Sequence, residues 1–236
     1  MRKIRKLTIL VIIIFTNLHS GPIHDAVKQN DGEALELILL SCQDDAGVRC
    51  ELVNDADEQG KTPLHYAAAL GHLSIVATLF SKGAEVNKPD KNWATPLHYA
   101  AGFGRTVIVK MLIYASANIE ACDKNRQTPL HRAVLGGHLD AAQVLIGAKA
   151  KIVKTDNNNQ TPLHMAAGRG YTKITQLLIN LLVKTMQELN IHEAVMLLSI
   201  NRPDNGGLTP LNLAVRKGYR EIAEMLIQAG ATTPPA

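Results

Sequence analysis

The sequence predicts an all-α repeat protein of about six helix-turn-helix units, and three observations carry that prediction. One seven-residue phrase returns in register: TPLHYAA from Thr62, TPLHYAA from Thr95, TPLHRAV from Thr128 and TPLHMAA from Thr161, each 33 residues after the last. A fixed period of this length marks stacked supersecondary units that bury their apolar sides on one another. The composition agrees: 46% of residues are hydrophobic, yet there are only one Trp, five Tyr and three Phe. Thin layers filled by Ala, Leu, Ile and Val leave little room for rings. Finally, a V-N-x-x-D segment recurs ahead of the phrase, from Val53-Asn54 to Asp57, Val86-Asn87 to Asp90 and Ile200-Asn201 to Asp204.

Each element of a unit follows from its residue types. Thr before the first helix is suited to N-capping, and Pro at the first helical turn has no amide hydrogen to leave unpaired. Small residues such as Ala67 and Ala68 let neighbouring helices approach, and Gly71, Gly104, Gly137, Gly170 and Gly218 end the first helix where a left-handed residue is needed. The second helix carries the core stripe, for example Ile75, Val76, Leu79 and Phe80, at helical spacing. The recurring Asp57, Asp90, Asp123, Asp156 and Asp204 then form turns.

The T-P-L-H-x-A phrase at this period closely resembles the ankyrin repeat, and the resemblance covers nearly everything after residue 20. It implies a solenoid whose helix pairs are joined by short β-hairpin loops. Aligned on the phrase, the units span 21–56, 57–89, 90–122, 123–155, 156–203 and 204–236. The first is degenerate, with Pro22-Ile23-His24-Asp25-Ala26-Val27 in place of the phrase, and the last reads TPLNLAV with Asn212 in the His slot. Departures at both ends suit capping repeats that face water on one side. Two units are longer than the rest, by eight residues within 40–52 and by 15 between Ile179 and Leu197. Leu177, Leu178, Leu181, Leu182, Met186 and Leu189 continue one helical face, and Asn190-Ile191-His192-Glu193 resembles a capping box. An overlong second helix followed by a short extra one is expected.

Residues 1–20 read as an export signal: a basic stretch from Arg2 to Lys6, the apolar run LTILVIIIF from Leu7 to Phe15, and a polar end at Ser20. Nine helical residues rise only about 13 Å, under half of a hydrocarbon core of about 30 Å. Cleavage after Ser20 and export to the periplasm or medium are expected, with an uncleaved membrane anchor as the alternative. Such a chain resembles exported bacterial ankyrin proteins. With the four cations Arg2, Lys3, Arg5 and Lys6 set aside, the 25 basic residues fall to the number of acidic ones, 21. That balance argues against nucleic acid or a polybasic membrane contact.

The nine histidines invite a metal or catalytic reading that the repeat removes. His65, His98, His131 and His164 recur once per unit, about 10 Å apart in such a stack, whereas ligands to one metal lie about 2.1 Å from it. The resemblance implies that this His locks adjacent hairpins through backbone hydrogen bonds. No nucleophile motif, phosphate-cradling loop or paired carboxylate is present, so no enzyme activity, metal or cofactor is expected. His192 and Glu193 in the long unit are the place where an alternative enzyme or regulator would keep its chemistry. Cys42 and Cys50 bracket the eight-residue insertion: in an oxidising space they would form a disulfide, otherwise both stay thiols.

The resemblance also implies a partner protein on the concave surface made by hairpin tips and first helices. Carried over by position, this selects Leu70, Lys91, Trp93, Phe103, Lys124, Arg126, Leu135 and Arg169, with Ala94 and others beside them. The hairpin glycine, kept as Gly60 and Gly207, is replaced by Trp93, Arg126 and Asn159, and the preceding Asn92, Asn125 and Asn158 are expected to take the left-handed geometry instead. The expected function is a monomeric, non-enzymatic protein-binding scaffold. The alternative is self-assembly through the helices of the second insertion.

Overall fold

A computed structural model describes residues 21–41, 51–189 and 199–232. Among them are twelve α-helices in pairs and no strand. In chain order these are α1 Pro22–Lys28, α2 Gly32–Ser41, α3 Pro63–Leu70, α4 Leu73–Ser81, α5 Pro96–Gly102 and α6 Thr106–Tyr114. They continue with α7 Pro129–Leu135, α8 Leu139–Gly147, α9 Pro162–Arg169, α10 Thr172–Leu189, α11 Pro210–Lys217 and α12 Arg220–Gln228. The chain divides into two compact units, one ending at Ala121 and the other beginning at Cys122.

The first helices are alike because the phrase dictates them. Thr62, Thr95, Thr128, Thr161 and Thr209 sit in extended geometry ahead of Pro, and the residue three positions later closes a capping box. The phrase leucines Leu64, Leu97, Leu130, Leu163 and Leu211 are buried, as are the small residues behind them. Second helices supply the opposing stripe: Ile75, Val76 and Leu79 in α4, Ile108, Val109 and Leu112 in α6, and Ala141, Ala142 and Leu145 in α8. Phe80 departs from the expected stripe, being only half-buried. It lines a shallow apolar hollow with Met111, Tyr114, Ala115 and the stem of Lys110.

The connections correct the hairpin expectation. Asp57 N–H donates to Lys61 O and Gly60 N–H to Asp57 O, which closes a turn but builds no ladder. Neighbouring tips share a single backbone bond, Lys91 N–H to Gln59 O at 2.9 Å. The arms leave no length for strand pairing, because a short helical turn ends at Asn54 before Asp57 and α3 begins at Pro63. Helix α10 runs 18 residues, against nine in α4, α6, α8 and α12. Leu178 and Leu182 are buried within it. The short helix expected after it, with His192 and Glu193, lies outside the described residues, as do Cys42, Cys50 and the N-terminal segment.

Candidate functional site

The turn Asp organises each hairpin tip. Asp90 Oδ1 accepts the amides of Asn92 (2.7 Å) and Ala94 (2.9 Å), and Oδ2 accepts the Tyr99 hydroxyl at 2.7 Å. Asp57 repeats the pattern with Gln59, Lys61 and Tyr66. Burial alone would raise its carboxyl, but the Tyr66 hydroxyl and the two amides outweigh that and hold it below the usual carboxylate range. In the second unit Asp123 takes amides from Asn125 and Gln127, and Arg132 replaces Tyr as the donor to Oδ2. In these three repeats the side chain nine positions after the hairpin Asp is therefore a structural partner. Only its recurrence as Tyr66, Tyr99 and Arg132 within the phrase could have disclosed this role beforehand.

The repeat histidine joins one tip to the next. His65 Nδ1 lies 3.0 Å from Thr62 N and 2.8 Å from Thr62 Oγ1, so it accepts from both. Nε2 must then carry the hydrogen, which it donates to Ala94 O at 3.1 Å. His131 reaches Gln160 O and His164 reaches Arg202 O in the same way. Even His24 of the degenerate first repeat donates to Lys61 O at 2.9 Å. Burial lowers the His65 pKa to about 4, and also lowers those of His131 and His164. The residue is thus a neutral internal brace. Asn212 in the last repeat performs the local half of the task, its Oδ1 accepting from Thr209 N and Thr209 Oγ1, both at 3.0 Å.

Because the Asp carboxylate holds the amides two and four positions later, the residue between them must turn left-handed. That residue is Trp93 (φ 61°), Arg126 (φ 57°) or Asn159 (φ 58°), and not the preceding Asn as expected. At Gly60 (φ 77°) a Cβ would lie 2.8 Å from the Lys91 nitrogen, so glycine is required there. Trp93 and Arg126 instead hold a large side chain in a conformation that opposes non-glycine residues by about 1–2 kcal/mol.

The structure distributes the remaining predicted residues as follows. In the first unit Leu70 is 41% exposed, Trp93 60% and Phe103 56%, and Lys91 is also exposed. Ala94, by contrast, is buried, with its carbonyl taken by His65. In the second unit Lys124, Arg126 and Arg169 are exposed and Leu135 is half-buried. Among the described residues no three His, Cys, Asp or Glu side chains come together in an arrangement that could hold a metal ion. None of the described helices is long and apolar enough to cross a membrane.

Family models described as ankyrin repeats (many copies) match residues 64–113 and 106–146, and a model described as ankyrin repeats (3 copies) matches 147–234. The chain is an ankyrin repeat protein. Ankyrin repeats typically mediate protein–protein interactions and are generally non-catalytic. In this ankyrin protein His65, His131 and His164 of the phrase, and the hairpin aspartates ahead of it, are occupied in bracing the tips.

Proposed function

We propose that this ankyrin protein is a non-enzymatic scaffold that binds a partner protein on the surface made by its hairpin tips and first helices. The observation that carries the reading is Trp93. It is the sole Trp of the chain, it is 60% exposed, and it occupies a left-handed turn position where sibling turns use Gly60 and Gly207. Stability would be better served by glycine: release of about 1–2 kcal/mol of backbone strain exceeds the added chain entropy of about 0.5–1 kcal/mol. An exposed, strained aromatic is a cost to the fold that a binding role explains.

Two variants test this. Trp93→Gly is expected to raise unfolding stability by about 0.5–1 kcal/mol while weakening partner binding about 30-fold, the effect of losing an anchor of about 2 kcal/mol. Trp93→Ala keeps a Cβ at positive φ, so it should lose the same affinity with little change in stability. Reduced melting temperature with unaltered affinity would make Trp93 a packing residue and defeat the reading.

Export is part of the proposal and rests on the basic, apolar and polar segments of residues 1–20. Terminal sequencing of protein recovered from outside the cytoplasm should begin at Gly21. A chain retained in the cytoplasm with its first 20 residues intact would contradict export.

A further inference from the structure

We infer that the hairpin-tip and first-helix surface of the second unit takes an acidic polypeptide segment. The inference rests on the protein-binding reading above and names the chemistry of the partner. Three observations support it.

Charge is sorted by position. The tips and first helices of this unit carry Lys124, Arg126, Arg132, Arg169, Arg216 and Lys217, and their only acids are the three turn aspartates. Those carboxylates are already engaged. Asp123 accepts two amides and the Arg132 guanidinium. Asp156 accepts the amides of Asn158 and Gln160, and Asp204 accepts those of Gly206 and Leu208 together with Gln160 Nε2. The exposed acids Asp140, Glu221 and Glu224 stand on second helices instead. Apart from Arg132, the cations of this surface form no ion pair with a described carboxylate. They are exposed, and they form a field of one sign that attracts carboxylates.

Arg126 is held in place at an energetic penalty. Its φ of 57° is the left-handed geometry that Gly207 supplies two repeats later, and its side chain is exposed. An Arg fork in this position offers paired N–H donors that match a carboxylate. The tips behind it are braced: Asn157 N–H donates to Asn125 O and Asn205 N–H to Asn158 O, both at 2.9 Å, while Asn157 Nδ2 donates to Lys124 O. A braced array loses little freedom on binding.

The hairpin tips of this surface carry no aromatic platform for a nucleic acid, and the half-buried rings of Tyr171 and Tyr219 pack against Gly137 and Gly170. Single strands are held by aromatic rings on which bases stack. The first-helix positions equivalent to Tyr66 and Tyr99 are here Arg132, Met165 and Leu213, and no ring stands on the tips of this unit. A polypeptide bearing Glu or Asp beside apolar side chains matches the guanidinium and ammonium groups and the half-buried Leu135 and Leu213 present.

The test uses the full chain, a fluorescently labelled glutamate-rich peptide, a lysine-rich counterpart and labelled oligo-dT, with binding read by anisotropy. The glutamate peptide should bind, weaken steadily as salt rises, and lose at least tenfold in affinity in the Arg126→Gly, Arg169→Gln double variant. That variant should unfold no earlier than the parent, because Arg126→Gly removes strain. The lysine peptide should not bind. Absence of glutamate-peptide binding, affinity unchanged in the double variant, or equal or tighter binding of oligo-dT would each overturn the inference. Such failures would leave the protein-binding reading standing if Trp93→Gly still released a partner. Loss of the Trp93 effect would remove that reading instead.

Discussion

Acidification from pH 6.5 to pH 4 is expected to destabilise the folded protein by several kcal/mol. His65 is buried and neutral, its folded pKa is about 4, and its ordinary value is 6.5. Within that window the unfolded chain binds a proton at this residue that the folded chain does not. Each pH unit therefore removes about 1.4 kcal/mol, or about 3 kcal/mol in all from His65 alone. His131 and His164 are lowered by burial as well and act in the same direction. The stabilisation is fully present above 6.5, falls as pH drops, and has been lost once pH is below the folded value. The depressed carboxyls of Asp57 and Asp204 extend the loss to lower pH. Chemical denaturation at half-unit steps checks this. A stability flat from 6.5 to 5 would mean that the histidines are not held neutral in the fold.

Substitution at His65 should separate the two halves of its role. His65→Ala leaves the Thr62 amide and hydroxyl without their acceptor, strands the Ala94 carbonyl and opens a cavity. The combined loss is about 3–4 kcal/mol. His65→Asn copies the last repeat, where Asn212 satisfies Thr209 but extends no further. It should lose only the Ala94 bond, about 1–1.5 kcal/mol. It should also remove the His65 share of the pH dependence between 6.5 and 4, about 3 kcal/mol, leaving that of His131 and His164. Equal losses for Ala and Asn would show that the inter-tip bond contributes everything and the local cap nothing.

The repeat made much of the fold legible. A 33-residue period, a Thr-Pro start and a recurring glycine describe local geometry that each module must satisfy with its own residues, so sequence alone locates the helices and explains His65 and its equivalents. Features that depend on how one turn is closed were harder to read. Asn tolerates positive φ more readily than Trp or Arg, which made Asn92, Asn125 and Asn158 the natural choice. The Asp carboxylate fixes amides at two and four positions on, and so forces the strain onto Trp93, Arg126 and Asn159 whatever their type.

Other properties of the surface were hidden for similar reasons. Ala94 occupies a position where the resemblance implies partner contact, yet its carbonyl accepts from His65 and its side chain is buried. The Asn of the V-N-x-x-D segment reads as a loop residue. In the structure Asn54 Oδ1 accepts the Glu85 amide at 2.7 Å, and Asn87 does the same for Asn118, so it ties one repeat's connector to the next. Net charge was uninformative because it sums over faces. A balanced total conceals first-helix and tip positions in the second unit whose carboxylates are spent inside turns while its cations stand in solvent.

Hydroxyl-radical footprinting of the full chain, with and without its captured partner, addresses the binding surface most directly. Leu70, Trp93 and Phe103 are exposed on the tip and first-helix side of the first unit, and Tyr114, 94% exposed at the end of a second helix, serves as an internal control. The partner is expected to shield Trp93 and Phe103 while Tyr114 oxidises as before. Protection of Tyr114 or of α10 with Trp93 still fully reactive would place the interface elsewhere and contradict that expectation.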